Sequence, residues 1–110
     1  MKLSIREDLI EGDRVRFKGA HPVLEAVLLP EHVVDTYDWM SFERGAAARN
    51  LFCYDKVGAL VWRAEDIGFG DVDAYTGVLE ESPLWVGNFA GFSCRIDEGA
   101  GKAVEKRFTK

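Results

Sequence analysis

The sequence predicts an all-β fold, and two similar segments are the main reason. Residues 51–62 and 93–104 each consist of an alternating strand, an Asp, a tight turn that contains Gly, and a second strand. Their aspartates, Asp55 and Asp97, are 42 positions apart, a spacing typical of a repeated four-stranded β-unit. Eleven Gly and three Pro in 110 residues supply the tight turns that such a fold needs.

The first twelve residues carry a different signal. Ser4 and Glu7 have the spacing of a capping box, and Ile5 and Leu9 lie one helical turn apart. These residues therefore predict one short N-terminal helix before the first strand.

Strand signals begin at residue 14. Residues 14–18 alternate strictly and place Val15 and Phe17 on one face. Residues 23–29 fit either a helical stripe or a strand, and we favour the strand because the neighbouring segments are strands. The predicted strands are residues 14–18, 23–29, 32–37, 51–54, 59–63, 73–79, 84–86, 91–96 and 103–108.

Two of these strands carry more detailed predictions. In residues 73–79, strict alternation places Val78 on one face and Tyr75 and Leu79 on the other. Residues 103–108 contain three consecutive charged side chains, which indicates an exposed edge strand that is protected by charge.

Residues 38–49 do not alternate and are predicted to form a long connection. This connection contains Trp39, Met40 and Phe42, three large apolar side chains that would be costly to leave exposed in a loop. They therefore either fold back on the core, which we favour for the group, or meet a partner.

The distribution of charge limits the function. The formal net charge is −5, and there is no Lys or Arg in residues 19–43 or 64–94. Non-specific binding to nucleic acid or to an anionic membrane needs clustered Lys and Arg, so neither partner is expected. The acidic segments indicate either a solvated acidic surface or a recognition face for a basic protein partner, because complementary potentials speed and orient docking.

One segment resembles a known repeat. Residues 51–63, Leu-Phe-Cys-Tyr-Asp-Lys-Val-Gly-Ala-Leu-Val-Trp-Arg, are similar to the repeat of quinoprotein-like (PQQ-type) β-propellers, and residues 92–104 are similar but carry Val104 in place of the Trp. The resemblance implies hairpin geometry alone, because a closed propeller needs at least four blades and 110 residues hold fewer than three. The whole pattern is also similar to that of small uncharacterised bacterial proteins with a blade-like C-terminal half, which implies no activity.

Length and composition predict a single domain that spans residues 1–110. The patterns leave open whether its strands form a single antiparallel meander, a β-sandwich or a partial-propeller-like sheet. Cys53 and Cys94 alternate with aromatic and aliphatic neighbours, so we interpret them as small core residues. The charged start of the chain lacks the apolar segment of a secretory signal, and no apolar run reaches the length of a membrane span, which predicts a cytoplasmic protein.

The sequence contains few features of catalytic or metal-binding motifs. His21 and His32 have no ligand partners at the spacing of a metal motif, and there is no nucleophile elbow or phosphate-binding loop. The sequence therefore predicts no enzyme activity, no metal and no cofactor. The alternative is a small-molecule-binding or hydrolytic domain that uses the carboxylates of residues 65–73, since paired carboxylates perform acid–base catalysis when their pKa values differ.

The favoured hypothesis is a non-enzymatic protein-binding domain. A small acidic β-domain of this kind suits an immunity or inhibitor protein that neutralises a basic toxin, for example a nuclease. Aromatic anchors surrounded by polar groups are typical of binding hot spots. The predicted partner-binding residues are Trp39, Glu65, Asp66, Phe69, Asp71, Asp73 and Trp85.

Overall fold

The computed structural model describes residues 1–109 and contains three antiparallel sheets. The N-terminal sheet consists of β1 (Ser4–Arg6), β2 (Leu9–Gly12) and β3 (Val15–Lys18). The central sheet consists of β4 (Val23–Leu28), β5 (Val33–Tyr37), β6 (Leu51–Tyr54) and β7 (Leu60–Arg63). The C-terminal sheet consists of β8 (Tyr75–Glu80), β9 (Trp85–Asn88), β10 (Phe92–Ile96) and β11 (Ala103–Phe108). Two single-turn 3-10 helices, Trp39–Ser41 and Gly70–Val72, lie between strands.

The predicted all-β class is confirmed. Residues 23–29, which fitted a helix or a strand, contain β4, and each of the other predicted strands overlaps an observed one. The charged strand β11 is at the edge of its sheet, as predicted.

The prediction of a short N-terminal helix is wrong. Ile5 pairs with Ile10 across a hairpin whose turn includes Glu7 at a φ of 60°. The physical reason is that Ile10 is fully buried, and the hairpin places Ile5 against the same apolar cluster. The spacing of Ile5 and Leu9 therefore reflects two paired strands and not one face of a helix.

The central sheet is the middle layer of the molecule. Ala26, Leu28 and Val33 on one face contact the N-terminal sheet, whereas Val27 and Val34 on the other face contact the C-terminal sheet. Because side chains in a strand alternate between faces, β4 and β5 each contribute to both cores. This arrangement buries all five residues of β5.

The two cysteines are core residues, as predicted. Cys53 on β6 and Cys94 on β10 are free thiols that belong to the same apolar cluster between the central and C-terminal sheets. Burial raises the pKa of Cys53 to about 12 and that of Cys94 to about 11. Both thiols therefore stay protonated and unreactive in the folded protein.

The aspartates of the two similar segments occupy equivalent turns. Asp55 Oδ1 accepts hydrogen bonds from the backbone N–H of Val57 at 3.0 Å and of Ala59 at 2.9 Å. Asp97 Oδ1 accepts from Gly99 N–H at 3.0 Å, and its carbonyl accepts from Gly101 N–H at 2.7 Å. Each Asp closes the last hairpin of a four-stranded sheet whose strand order follows the sequence.

Strand β8 departs from the predicted alternation. The register shifts between Tyr75 and Gly77 and again between Val78 and Glu80, which indicates bulges. As a result, the side chains of Tyr75 and Val78 both contact the apolar cluster between the central and C-terminal sheets. Strict alternation predicts instead that they point to opposite faces of the C-terminal sheet. Leu79 is left exposed.

The turn between β10 and β11 packs against the central sheet. Trp62 Nε1 donates a hydrogen bond to the carbonyl of Glu98 at 2.6 Å. Gly101 lies over the indole at a φ of 74°, and a Cβ atom there would be 2.6 Å from the ring. This position therefore needs glycine both for its backbone conformation and for its close approach to Trp62.

We expect Gly101→Ala to lower the free energy of unfolding by about 1–3 kcal/mol more than Gly68→Ala, because overpacking adds to the backbone strain. Gly68 is the matched control: its φ is 86°, but a Cβ atom added there would have no neighbouring atom within 4 Å. Urea denaturation of both variants measures the difference. Equal losses of stability would contradict the contact with Trp62.

Candidate protein-binding surface

The two longest connections, which precede β6 and β8, meet at one end of the molecule. Asn50 links the strands beside them. Asn50 Nδ2 donates to the carbonyls of Tyr37 at 2.8 Å and Tyr75 at 2.9 Å, and its Oδ1 accepts from Tyr75 N–H at 2.8 Å. Asn50 is fully buried. This single amide therefore joins β5 of the central sheet to β8 of the C-terminal sheet.

Asp73 organises the loop that precedes β8. Its Oδ2 accepts from the backbone N–H of Ile67 at 2.7 Å and of Phe69 at 3.2 Å, and its Oδ1 accepts from Asn88 Nδ2 at 2.9 Å. Only 1% of Asp73 is exposed. The prediction that this residue presents a carboxylate to a partner is therefore corrected, because its oxygens are occupied by hydrogen bonds inside the protein.

The connection between β5 and β6 carries an exposed aromatic group. Asp38 begins the short helix by accepting a hydrogen bond from Met40 N–H at 2.9 Å. Phe42 folds back and contacts the ring of His21, with 4.3 Å between centroids. Trp39 and Met40, in contrast, remain 43% and 65% exposed. The prediction that all three side chains fold back is therefore correct for Phe42 alone.

Trp39 pairs with a second exposed ring. Its indole meets the ring of Phe89 edge-on, with 5.6 Å between centroids. Phe89 is 51% exposed and lies in the turn that follows β9. The pair therefore connects a loop of the central sheet to a loop of the C-terminal sheet on the outside of the molecule.

A cavity of about 320 Å³ lies beside this aromatic pair. Its walls include Trp39, Met40, Glu43, Arg44 and Asp71, together with small alanine side chains. No ion pair within residues 1–109 involves Glu43, Arg44 or Asp71. We call the exposed group formed by Trp39, Met40, Glu43, Asp71 and Phe89 the aromatic–acidic surface.

The other residues predicted to bind a partner are dispersed. Phe69 is partly exposed and contacts Phe92, with 5.2 Å between centroids, and Asp66 is exposed. Glu65 is exposed, but its Oε1 accepts from Ala103 N–H at 3.2 Å. Trp85 is buried beneath the guanidinium of Arg107, whose carbon lies 4.4 Å from the ring centroid. Of the seven predicted residues, Trp39 and Asp71 are the two that line the cavity.

A second cavity of about 460 Å³ lies at the opposite end, between the turns after β8 and β10. Its walls include Glu81, Arg95, Asp97 and Glu98 but no aromatic side chain. Binding hot spots are enriched in aromatic residues, and this cavity has none, so it is the weaker candidate for a protein interface although Arg95 lines it.

The sequence interpretation missed a buried polar group between the central and N-terminal sheets. The hydroxyl of Tyr37 donates a hydrogen bond to Asp35 Oδ2 at 3.3 Å and accepts one from Ala20 N–H at 3.2 Å. The same hydroxyl lies 2.5 Å from the hydroxyl of Tyr54. Burial raises the pKa of Asp35 to about 7, although the hydrogen bond from Tyr37 opposes this rise. The signal in the sequence was the spacing: Asp35 lies two residues from both Val33 and Tyr37, so strand alternation places it on the same face as these two residues.

The fold and this surface define an all-β protein with an exposed aromatic patch beside acidic side chains. A family model described as "Domain of unknown function (DUF7957)" matches residues 2–108, so the chain belongs to this family. No curated protein and no solved structure matches the chain. The resemblance of residues 51–63 to propeller repeats therefore remains a prediction.

Residues 1–109 contain no helix that is long and apolar enough to cross a membrane. In the same range, no three or more His, Cys, Asp or Glu side chains are grouped so that they could hold a metal ion.

Proposed function

We propose that this chain is a non-enzymatic protein-binding domain that binds a basic protein through the aromatic–acidic surface. The observation that carries the proposal is the exposed pair of Trp39 and Phe89, with Met40 beside it. Each of these side chains is costly to leave in water, and aromatic residues and Met are enriched at protein interfaces. A partner that covers the pair would remove this apolar surface from solvent.

The charge of the surface supports a basic partner. Glu43 and Asp71 line the cavity beside Trp39 and outnumber its one cation, Arg44, and the whole chain has a formal net charge of −5. An Arg or Lys side chain that enters this cavity would meet an aromatic ring and carboxylates together. Cation–π contact and charge-assisted hydrogen bonds would then both favour binding.

Within this proposal, the more specific role is that of an immunity or inhibitor protein. Such a protein neutralises a basic toxin in the cytoplasm, for example a nuclease, by placing carboxylates where the phosphates of its substrate would lie. Electrostatic complementarity would give fast association and selectivity for the toxin. A toxin gene directly beside the gene for this chain would support this role.

The test compares proteins captured from the native host by three baits. We expect at least one basic protein to be retained by the wild type and to be lost with the double variant Trp39→Ser/Phe89→Ser. Calorimetry with that protein, once purified, should show an affinity at least tenfold lower for the double variant, because hot-spot residues each contribute more than about 1 kcal/mol.

The third bait is the matched control Leu79→Ser/Val104→Ser, which removes two exposed apolar side chains from the opposite end of the C-terminal sheet. This control should bind as the wild type does. Equal capture by all three baits would exclude the aromatic–acidic surface as the interface, and an acidic partner would contradict the charge argument.

A further inference from the structure

Arg49 and Arg63 differ from the other cationic side chains of this protein. In residues 1–109, Arg49, Arg63 and Arg95 are the three Lys or Arg residues that are partly buried, and the others are exposed. Arg95 Nε lies 3.3 Å from Glu105 Oε1, whereas no ion pair in the described part of the chain involves Arg49 or Arg63. Because removing a charge from water is costly, a buried charge normally has a counter-charge. Arg49 and Arg63 have none.

Backbone carbonyls hold both guanidinium groups in place. Arg63 donates from Nε to the carbonyl of Arg49 and from Nη2 to that of Ala48, both at 2.9 Å. Arg49 donates from Nε to the carbonyl of Ala64 at 3.1 Å. Among the described residues, no acceptor lies within hydrogen-bond distance of either Nη atom of Arg49 or of Nη1 of Arg63. The fold therefore positions the pair and leaves several of its N–H groups available.

The two positive charges repel each other. Burial lowers the pKa of Arg63, and the charge of Arg49 lowers this pKa further. The Cζ atom of Arg63 also lies 5.0 Å from the ring centroid of Phe52 and 5.5 Å from that of Phe42. These rings attract the guanidinium but carry no net charge, so they do not neutralise the pair. A bound anion would relieve the repulsion.

The backbone of Arg49 is strained. Its φ is 49°, in the left-handed region that glycine and asparagine adopt at lower cost than arginine. Backbone strain of this kind is concentrated at functional sites. A strained arginine beside a second arginine therefore indicates that the side chain of Arg49 has a use.

We propose that Arg49 and Arg63 together bind the phosphate group of a small anionic ligand. A phosphate group carries about 1.5 to 2 negative charges at neutral pH, which matches two guanidinium groups. Guanidinium N–H groups also suit the geometry of phosphate oxygens. A carboxylate carries a single charge and would leave part of the positive charge uncompensated.

The surroundings of the pair offer an apolar surface for the rest of such a ligand. Phe42 and Ala48, which contact the guanidinium of Arg63, also line the cavity of about 320 Å³. This inference goes beyond the proposed function, because the ligand is a small anion and neither arginine belongs to the aromatic–acidic surface.

Isothermal titration calorimetry with phenyl phosphate, at neutral pH and constant ionic strength, tests the site. We expect saturable binding by the wild type and an affinity lower by about tenfold or more for Arg49→Asn, because charge-assisted hydrogen bonds are lost. Asparagine tolerates the left-handed backbone, and circular dichroism checks that the variant is folded. Arg49→Lys keeps the charge but not the planar fork, so it should lose less affinity than Arg49→Asn.

The matched control is Arg14→Asn. Arg14 is exposed and has a φ of 69°, so this variant removes the same charge from the same kind of backbone at a distant turn. It should bind phenyl phosphate as the wild type does. Equal losses of affinity in Arg14→Asn and Arg49→Asn would overturn the proposal, and so would a wild type without saturable binding.

Two further ligands distinguish the kinds of anion. Benzoate keeps the ring but carries a carboxylate, and it should bind more weakly than phenyl phosphate. Benzoate that binds as tightly as phenyl phosphate would overturn the proposal. Inorganic phosphate distinguishes the sources of the phosphate group: weaker binding than phenyl phosphate would support an ester as the ligand, and equal binding would support free phosphate.

Discussion

Asn50→Ala is expected to lower the free energy of unfolding by about 3–5 kcal/mol, because it leaves three buried backbone groups without partners. These groups are the carbonyl of Tyr37 and both the N–H and the carbonyl of Tyr75. They belong to two different sheets, so the variant weakens the junction between the sheets as well as each strand end. Chemical denaturation followed by tryptophan fluorescence measures the loss.

Asn50→Asp separates the hydrogen bonds from the volume of the side chain. Aspartate keeps the size and one acceptor, but it cannot donate to the carbonyls of Tyr37 and Tyr75. We therefore expect this variant to be strongly destabilised as well. A loss below about 1 kcal/mol for either variant would mean that Asn50 does not hold the two sheets together.

The second large effect is a loss of stability between acidic and neutral pH, caused by Asp35. Burial raises the pKa of Asp35 from 3.8 to about 7 in the folded protein. Between these values the folded state holds a proton that the unfolded state has released, so stability falls as pH rises. The contribution is present in full below about pH 4 and is lost as pH rises through about 7. At about 1.4 kcal/mol per pH unit, the total change is roughly 4 kcal/mol.

Asp35→Asn should remove this contribution, because an amide does not titrate. Unfolding free energies measured from pH 4 to pH 8 should fall more steeply for the wild type than for the variant. Asp66→Asn, which changes an exposed carboxyl group, is the control and should retain the wild-type slope. Parallel profiles for the wild type and Asp35→Asn would show that Asp35 titrates normally in the folded protein.

Most strands could be predicted because their signals are local. The alternation that places Val15 and Phe17 on one face and the Asp–Gly turns at Asp55 and Asp97 depend on residues close together in the chain. Two predictions failed because a local sequence pattern was compatible with more than one structure. Ile5 and Leu9 fit a helix as well as a hairpin, and strict alternation in β8 could not anticipate bulges that bring Tyr75 and Val78 to the same core.

The candidate site was less predictable, because exposure depends on contacts between distant residues. In the sequence, Asp73 is one of several carboxylates in a loop. In the structure it is buried, and it accepts a hydrogen bond from Asn88 Nδ2, fifteen positions away. Trp85 is hidden by Arg107, which belongs to a later strand. Conversely, Trp39 could be predicted as an aromatic residue in a connection, but its contact with Phe89 requires two loops of different sheets to meet.

The sequential strand order of the central and C-terminal sheets has a consequence for how the chain folds. Every pairing in these sheets joins neighbours along the chain, from β4 to β7 and from β8 to β11. Loop closure within each sheet therefore costs less entropy than pairing strands distant in sequence would cost. Hairpins can form early, before the two halves dock, which shortens the time during which unpaired strands are open to aggregation.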